Sequence, residues 1–185
     1  MKFTILPHFY EGKSYYISPF SGNLILNENK LTPSKFNHNI IQALTFCDNP
    51  YLLKTLKNIP KNDLNNNLIS ELSKMNNRLM FINNKRFLLS CIYSSFQNCL
   101  YENTIEAYDN IENLEIHKLN KGKLCLQRAL LAAKTSNSFK KNGVLLIGAT
   151  LPTWNMHAWI IEDNFQPDRE DRMWIMYRPL LAIQY

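Results

Sequence analysis

An α+β fold is what this sequence predicts, and three observations predict it. Short strand-type segments separated by turn chemistry open the chain, apolar residues at helical spacing fill its middle, and β-rich runs close it. With 185 residues, 45% of them hydrophobic and 19% charged, the chain can bury a core as one domain or two small ones, and a disordered or fibrous polypeptide is excluded.

Residues 3–6, 15–17 and 24–26 read as three short antiparallel strands, because Glu11-Gly12-Lys13 and Ser21-Gly22-Asn23 between them favour turns. From Pro33 the pattern changes. Ile40, Ile41, Leu44, Phe46 and Cys47 recur at helical spacing, and short helices are expected over 49–57 and 63–75, the second capped by Asp63. The Asn-rich stretch 62–67 and the polar residues 74–77 are poor places for a core to cross, which sets a domain boundary near 75 and divides the chain into 1–75 and 76–185. Over 84–101, Phe87, Leu88, Cys91, Ile92, Ser95, Phe96, Cys99 and Leu100 form one apolar helical stripe. A polar connection to about Gly122 follows, then an Ala- and Leu-rich helix over 124–133, then β-rich runs at 144–147 and 157–161 and a closing strand at 180–183.

Several functions are set aside by composition. No apolar stretch approaches the ~20 residues that span a bilayer, and the first residues lack the apolar core of a signal peptide, so no membrane association and a cytoplasmic location are expected. The net charge of +6 could suggest nucleic acid, but it is scattered apart from 118–123 and Lys140-Lys141, and mild attraction to acidic peptide or protein partners fits it equally well; no nucleic-acid partner is expected. The five glycines form no phosphate-binding loop, and the cysteines at 47, 91, 99 and 125 make no CxxC pair, so neither nucleotide nor metal is expected to be held by this chain.

Three of those cysteines read as small buried hydrophobes, and Cys125 stands apart. It falls in the first turn of its helix, where unpaired N–H groups and the positive end of the dipole favour a thiolate, with Lys121 and Lys123 nearby. A thiolate nucleophile needs a base, and His157 supplies a candidate on a strand whose Trp159 and Ile161 share its face. A third group should orient the imidazole. Asp168 ranks first, because a hairpin after His157 would bring it back alongside, and Asp171 ranks second; Glu162 lies on the opposite strand face and Asp163 in the turn. His8, His38 and His117 read as loop or surface residues.

The segments Cys125-Leu126-Gln127-Arg128-Ala129-Leu130, Val144-Leu145-Leu146-Ile147-Gly148, His157-Ala158-Trp159-Ile160, Asp168, and Tyr177-Arg178-Pro179-Leu180-Leu181 together resemble the B proteins of lasso peptide biosynthesis, which are transglutaminase-like cysteine peptidases. The family pattern is Cys-Leu-x-Arg-x-Leu at a helix start, a strand ending in Ile-Gly, a His-Ala-Trp strand and a following Asp, here preceded by Pro167 where the family favours Asn. The resemblance implies a nucleophile helix on an antiparallel sheet, as in transglutaminase- and papain-like domains, with catalytic Cys125, His157 and Asp168. It also implies that 1–75 forms a PqqD-like winged-helix module of three strands then helices, which binds the leader of a precursor peptide as an added strand. Leu24, Ile25 and Leu26 would offer the open edge for it. The implied partners are that precursor and an asparagine-synthetase-like cyclase, the C protein, through which alone ATP would be used. Two rival functions share these residues: an acyltransferase in which an amine resolves the thioester, and a leader-binding chaperone without catalysis.

Overall fold

The computed structural model describes residues 2–32, 35–49, 70, 73–74, 99–114, 124–162 and 173–185. Outside these fall Cys91, Asp168, Asp171, the boundary near 75, and nearly all of the helices expected over 49–57, 63–75 and 84–101.

Twelve elements are described: β1 (Lys2–Ile5), β2 (His8–Tyr10), β3 (Lys13–Ile17), β4 (Leu24–Asn27), α1 (His38–Asp48), α2 (Thr104–Glu112), α3 (Cys125–Thr135), α4 (Asn137–Asn142), β5 (Val144–Ala149), β6 (Met156–Ile161), a 3₁₀ turn (Met173–Met176) and β7 (Arg178–Gln184). The fold is a mixed α+β arrangement of two antiparallel sheets.

β2, β3 and β4 form a meander in that order. Its first turn is the two-residue loop Glu11-Gly12, both at positive φ (48° and 79°), the backbone that lets a tight hairpin follow the twist of its strands. The second turn is closed by Ser18, whose carbonyl accepts from Gly22 N–H (2.8 Å) and whose N–H donates to the Asn23 carbonyl (2.9 Å). Here the reading of the first three strands is corrected. The strand near residues 3–6 does not join the meander; β1 pairs antiparallel with β7, Lys2 opposite Gln184 and Ile5 opposite Leu181, and His8–Tyr10 takes its place beside β3.

The second sheet runs β1-β7-β5-β6, and helices cover both faces. On one face α1 lays Ile40, Ala43 and Phe46 against Val144, Leu146, Trp159, Ile161 and Ala182. Asn37 anchors that helix twice: its side-chain oxygen accepts from Ile40 N–H (3.0 Å) and its amide donates to Gln184 (2.7 Å) at the end of β7. The other face carries α2 and α3, whose Ala107, Tyr108, Ile111 and the run Ala129 to Ala133 meet Leu145, Ile147, Ala158, Ile160, Leu181 and Ile183. Ile17 of β3 is fully buried in this same cluster, so the meander is packed on the α2–α3 side of the sheet.

Two further corrections concern the middle of the chain. The connection expected after residue 101 contains α2, which Asn103 caps by accepting from Glu106 N–H (2.8 Å) and which buries Thr104, Ala107, Tyr108 and Ile111 at helical spacing. The stripe ending at Leu100 is not helical in its last residues. Leu100 and Tyr101 both donate to the Thr135 carbonyl (2.9 and 3.0 Å), and Tyr101 bridges Ser136. That cross-connection ties residues 99–101 to the end of α3.

Candidate active site

Cys125 is the first residue of α3, and the residue before it, Leu124, makes no side-chain cap. The first-turn donors are therefore left for other acceptors. One of them, Leu126 N–H, bonds the Cys125 sulfur, as does Ala158 N–H from β6. A strand can donate in this way because β6 is the outer strand of its sheet among the described residues, so alternate N–H groups point away from β5 toward the helix start.

His157 precedes Ala158 and hydrogen-bonds the thiol. Burial by itself pushes the Cys125 thiol up, but the hydrogen bond from His157, its positive charge and the N–H groups of Ala158 and Leu126 together outweigh it, so the thiol titrates below its ordinary value. The imidazole is 6% exposed and is held on its flanks by two aromatic rings. Trp159 lies nearly parallel to it (centroids 6.0 Å, 13°), and Tyr177, just before β7, is tilted against it at 5.0 Å. Ring contacts of this kind leave little rotamer freedom, so the imidazole is held in place beside the thiol.

Gly148 makes room for this stack. It lies directly opposite His157 on β5, and the β5–β7 register shifts beside it. A Cβ there would sit 2.4 Å from the Arg178 carbonyl oxygen and 2.8 Å from Cη2 of Trp159. Glycine in a strand interior marks such a close approach, a signal present in the sequence and without an assigned role there.

A cleft of about 410 Å³ opens at the pair. Cys125, Leu126, Gln127, His157 and Ala158 line one side, and Ile17 with Ser21, Gly22, Asn23 and Leu24 line the other. Of the three residues expected to receive a peptide edge, Leu24 thus reaches the site itself. Leu26 shares its sheet face two residues further on and is 47% exposed, while Ile25 points to the opposite face. The turn residues Ser21 to Asn23 gave no sign of a site in the sequence beyond their turn chemistry.

The structure therefore brings Cys125, His157 and Leu24 together, whereas Asp168 and Asp171 lie outside the described residues. Glu162 is engaged elsewhere: buried, its carboxylate accepts from the Thr104 hydroxyl at 2.6 Å, at the start of α2. Cys47 is packed on the α1 face, and burial pushes its thiol up to about 12 despite a hydrogen bond with Trp159. Among the described residues no group of three or more His, Cys, Asp or Glu side chains could hold a metal ion, and no helix is long and apolar enough to cross a membrane. A thiol biased toward thiolate, bonded to a fixed imidazole and open to a cleft, can attack a carbonyl and return a proton to the leaving group. Compared with protein families, with curated proteins and with solved structures, the chain matches none.

Proposed function

We propose that this chain is a cysteine peptidase of the lasso-peptide B type, which removes the leader from a ribosomally made precursor. The observation that carries the reading is the Cys125–His157 pair on one side of a cleft whose other side is the turn leading into β4. Catalytic residues and a peptide-binding edge would then be parts of one continuous surface. In this account the meander of β2, β3 and β4 acts as the leader-binding part without α1, which packs on the far face of the other sheet, and β4 receives the leader as an added strand. The sheet β7-β5-β6 with α3 acts as the transglutaminase-like domain.

The chemistry is acyl transfer. The Cys125 thiolate attacks the carbonyl at the leader–core junction, His157 gives its proton to the departing core amine, and a thioester to the leader remains. Water activated by His157 then attacks the thioester and releases the leader acid and the free thiol. The Cys125 N–H, in the uncapped first turn of α3, is a donor for the oxyanion, and Asp168 is assigned by resemblance to hold the imidazole. The freed amine passes to the ATP-using cyclase partner, and the work takes place in the cytoplasm.

The test is to incubate the protein with a synthetic precursor in the presence and absence of glycinamide, and to weigh the products. Free leader acid and free core are expected in both. Leader glycinamide as the main product would replace the peptidase with the acyltransferase, and uncleaved precursor would leave a leader-binding chaperone.

A further inference from the structure

The connection between β5 and β6 holds a backbone conformation that a large side chain rarely adopts. Trp154 has φ of 56°, in the left-handed region, where a bulky residue is strained and persists only if its surroundings hold it. What holds it is visible. Its N–H donates to the Thr150 carbonyl (2.8 Å), Thr150 N–H donates to the Asn155 carbonyl (3.0 Å), and the hydroxyls of Thr150 and Thr153 are 2.8 Å apart. The turn so closed sets the indole against the Tyr15 ring, with centroids 4.3 Å apart and planes at 32°.

The two rings belong to the two sides of the cleft. Tyr15 is in the middle of β3, directly opposite Leu26 of β4, and the strand it belongs to continues through Ile17 into the turn that lines the cleft. Trp154 stands two residues before Met156, where β6 begins, and His157 follows at once. Both rings are only half-buried, with Trp154 packed against the margin of the α2–α3 core, so the contact spans the seam between meander and sheet.

We propose that the Tyr15–Trp154 stack is a positioning clamp that fixes the spacing between the β4 edge and the Cys125–His157 pair, so that a peptide seated on β4 presents its scissile carbonyl to Cys125. The clamp rests on the peptidase reading above. Neither ring touches the reacting atoms; both are positioning residues, and they confer selection for a substrate long enough to lie on β4 and enter the cleft together.

The experiment uses the full chain with Trp154→Ala, Trp154→Phe and, from the other side of the contact, Tyr15→Leu. Three quantities are read for each: leader-peptide affinity by calorimetry, the rate of Cys125 alkylation by iodoacetamide, and kcat and KM for a leader-bearing precursor. For Trp154→Ala and Tyr15→Leu, alkylation and leader affinity should stay near the parent values. In both, kcat should fall by about 10²-fold with KM little changed, the loss expected when a reacting atom is misplaced by about 1 Å. Trp154→Phe, which keeps a ring on Tyr15, should recover most of that loss. Undiminished kcat in both disrupting variants overturns the clamp, as does a parallel loss of alkylation and cleavage in all three, which would make the stack plain support for His157. A parent protein that leaves the precursor uncut removes the peptidase reading first, an outcome visible before any variant is made.

Discussion

Gly148→Ala adds one methyl group at the point where β5, β7 and the aromatic stack converge. The new Cβ would lie 2.4 Å from the Arg178 carbonyl oxygen and 2.8 Å from Trp159 Cη2. Ordinary contact is about 3.5 Å, so β5 and β7 must part by roughly 1 Å to clear the carbonyl, and the Trp159 ring must be cleared as well. Trp159 is fully buried against α1 and has nowhere to retreat. Overpacking of this kind costs about 1–3 kcal/mol, which a shift in the urea midpoint at unchanged slope would measure. The displacement does not stop at stability, because Trp159 stacks on His157 and His157 lies opposite Gly148. A misplacement near 1 Å at the base should lower single-turnover cleavage by about 10²-fold in conditions where the variant remains folded. Unchanged stability together with unchanged cleavage would refute the reasoning, since it would mean that the close approach constrains neither strand spacing nor the base.

Alkylation by iodoacetamide should separate the thiols by pH. The thiolate is the reactive form and the folded Cys125 pKa is depressed, so between that lowered value and about 8.5 native Cys125 reacts faster than the same residue in urea, and the advantage is lost as pH falls through the folded value. Cys47, pushed up to about 12, should react only after unfolding, and its raised pKa removes stability as pH climbs from about 8.5 toward that value. Mapping label to Cys47 in the native protein at neutral pH would contradict both. Thr104→Val deprives the buried Glu162 carboxylate of one donor and should cost about 1–3 kcal/mol in urea unfolding, with Cys125 alkylation unaltered; an unmoved midpoint would show that the bond contributes nothing. Leu26→Pro removes an N–H from the outer side of β4, whereas the Ile25 N–H is turned inward to Tyr16, and it should weaken leader binding in calorimetry by ten-fold or more, about 1.4 kcal/mol; an unchanged affinity would place the leader on another edge.

What the sequence made legible was local. The Ala- and Leu-rich run after Cys125 and the alternation around His157 place one at a helix start and the other on a strand by period alone. α2 carried an equally local signal, the Asn103–Glu106 capping pair ahead of a helical apolar pattern, in a stretch whose polar residues read as a connection. The rest depends on contacts between residues far apart in the chain. Nothing near Lys2 announces Gln184 as its neighbour, nothing in Ser21-Gly22-Asn23 announces a thiol across a cleft, and Tyr177 meets His157 only because β7 and β6 flank β5. The pairing of β1 with β7 also makes the first residues of the chain part of the sheet that carries His157, a join that no composition change could display.

The most direct measurement of the central claim is the mass of the protein itself during turnover. Precursor and protein are mixed, quenched in acid within the first turnover and weighed intact, so that a thioester survives. The account predicts an adduct equal to the leader less one water, mapped to Cys125, absent from Cys125→Ala, and lost on mild base treatment together with release of leader acid. Cleavage of the precursor by Cys125→Ala at the parent rate, with no adduct on the parent protein, would contradict it.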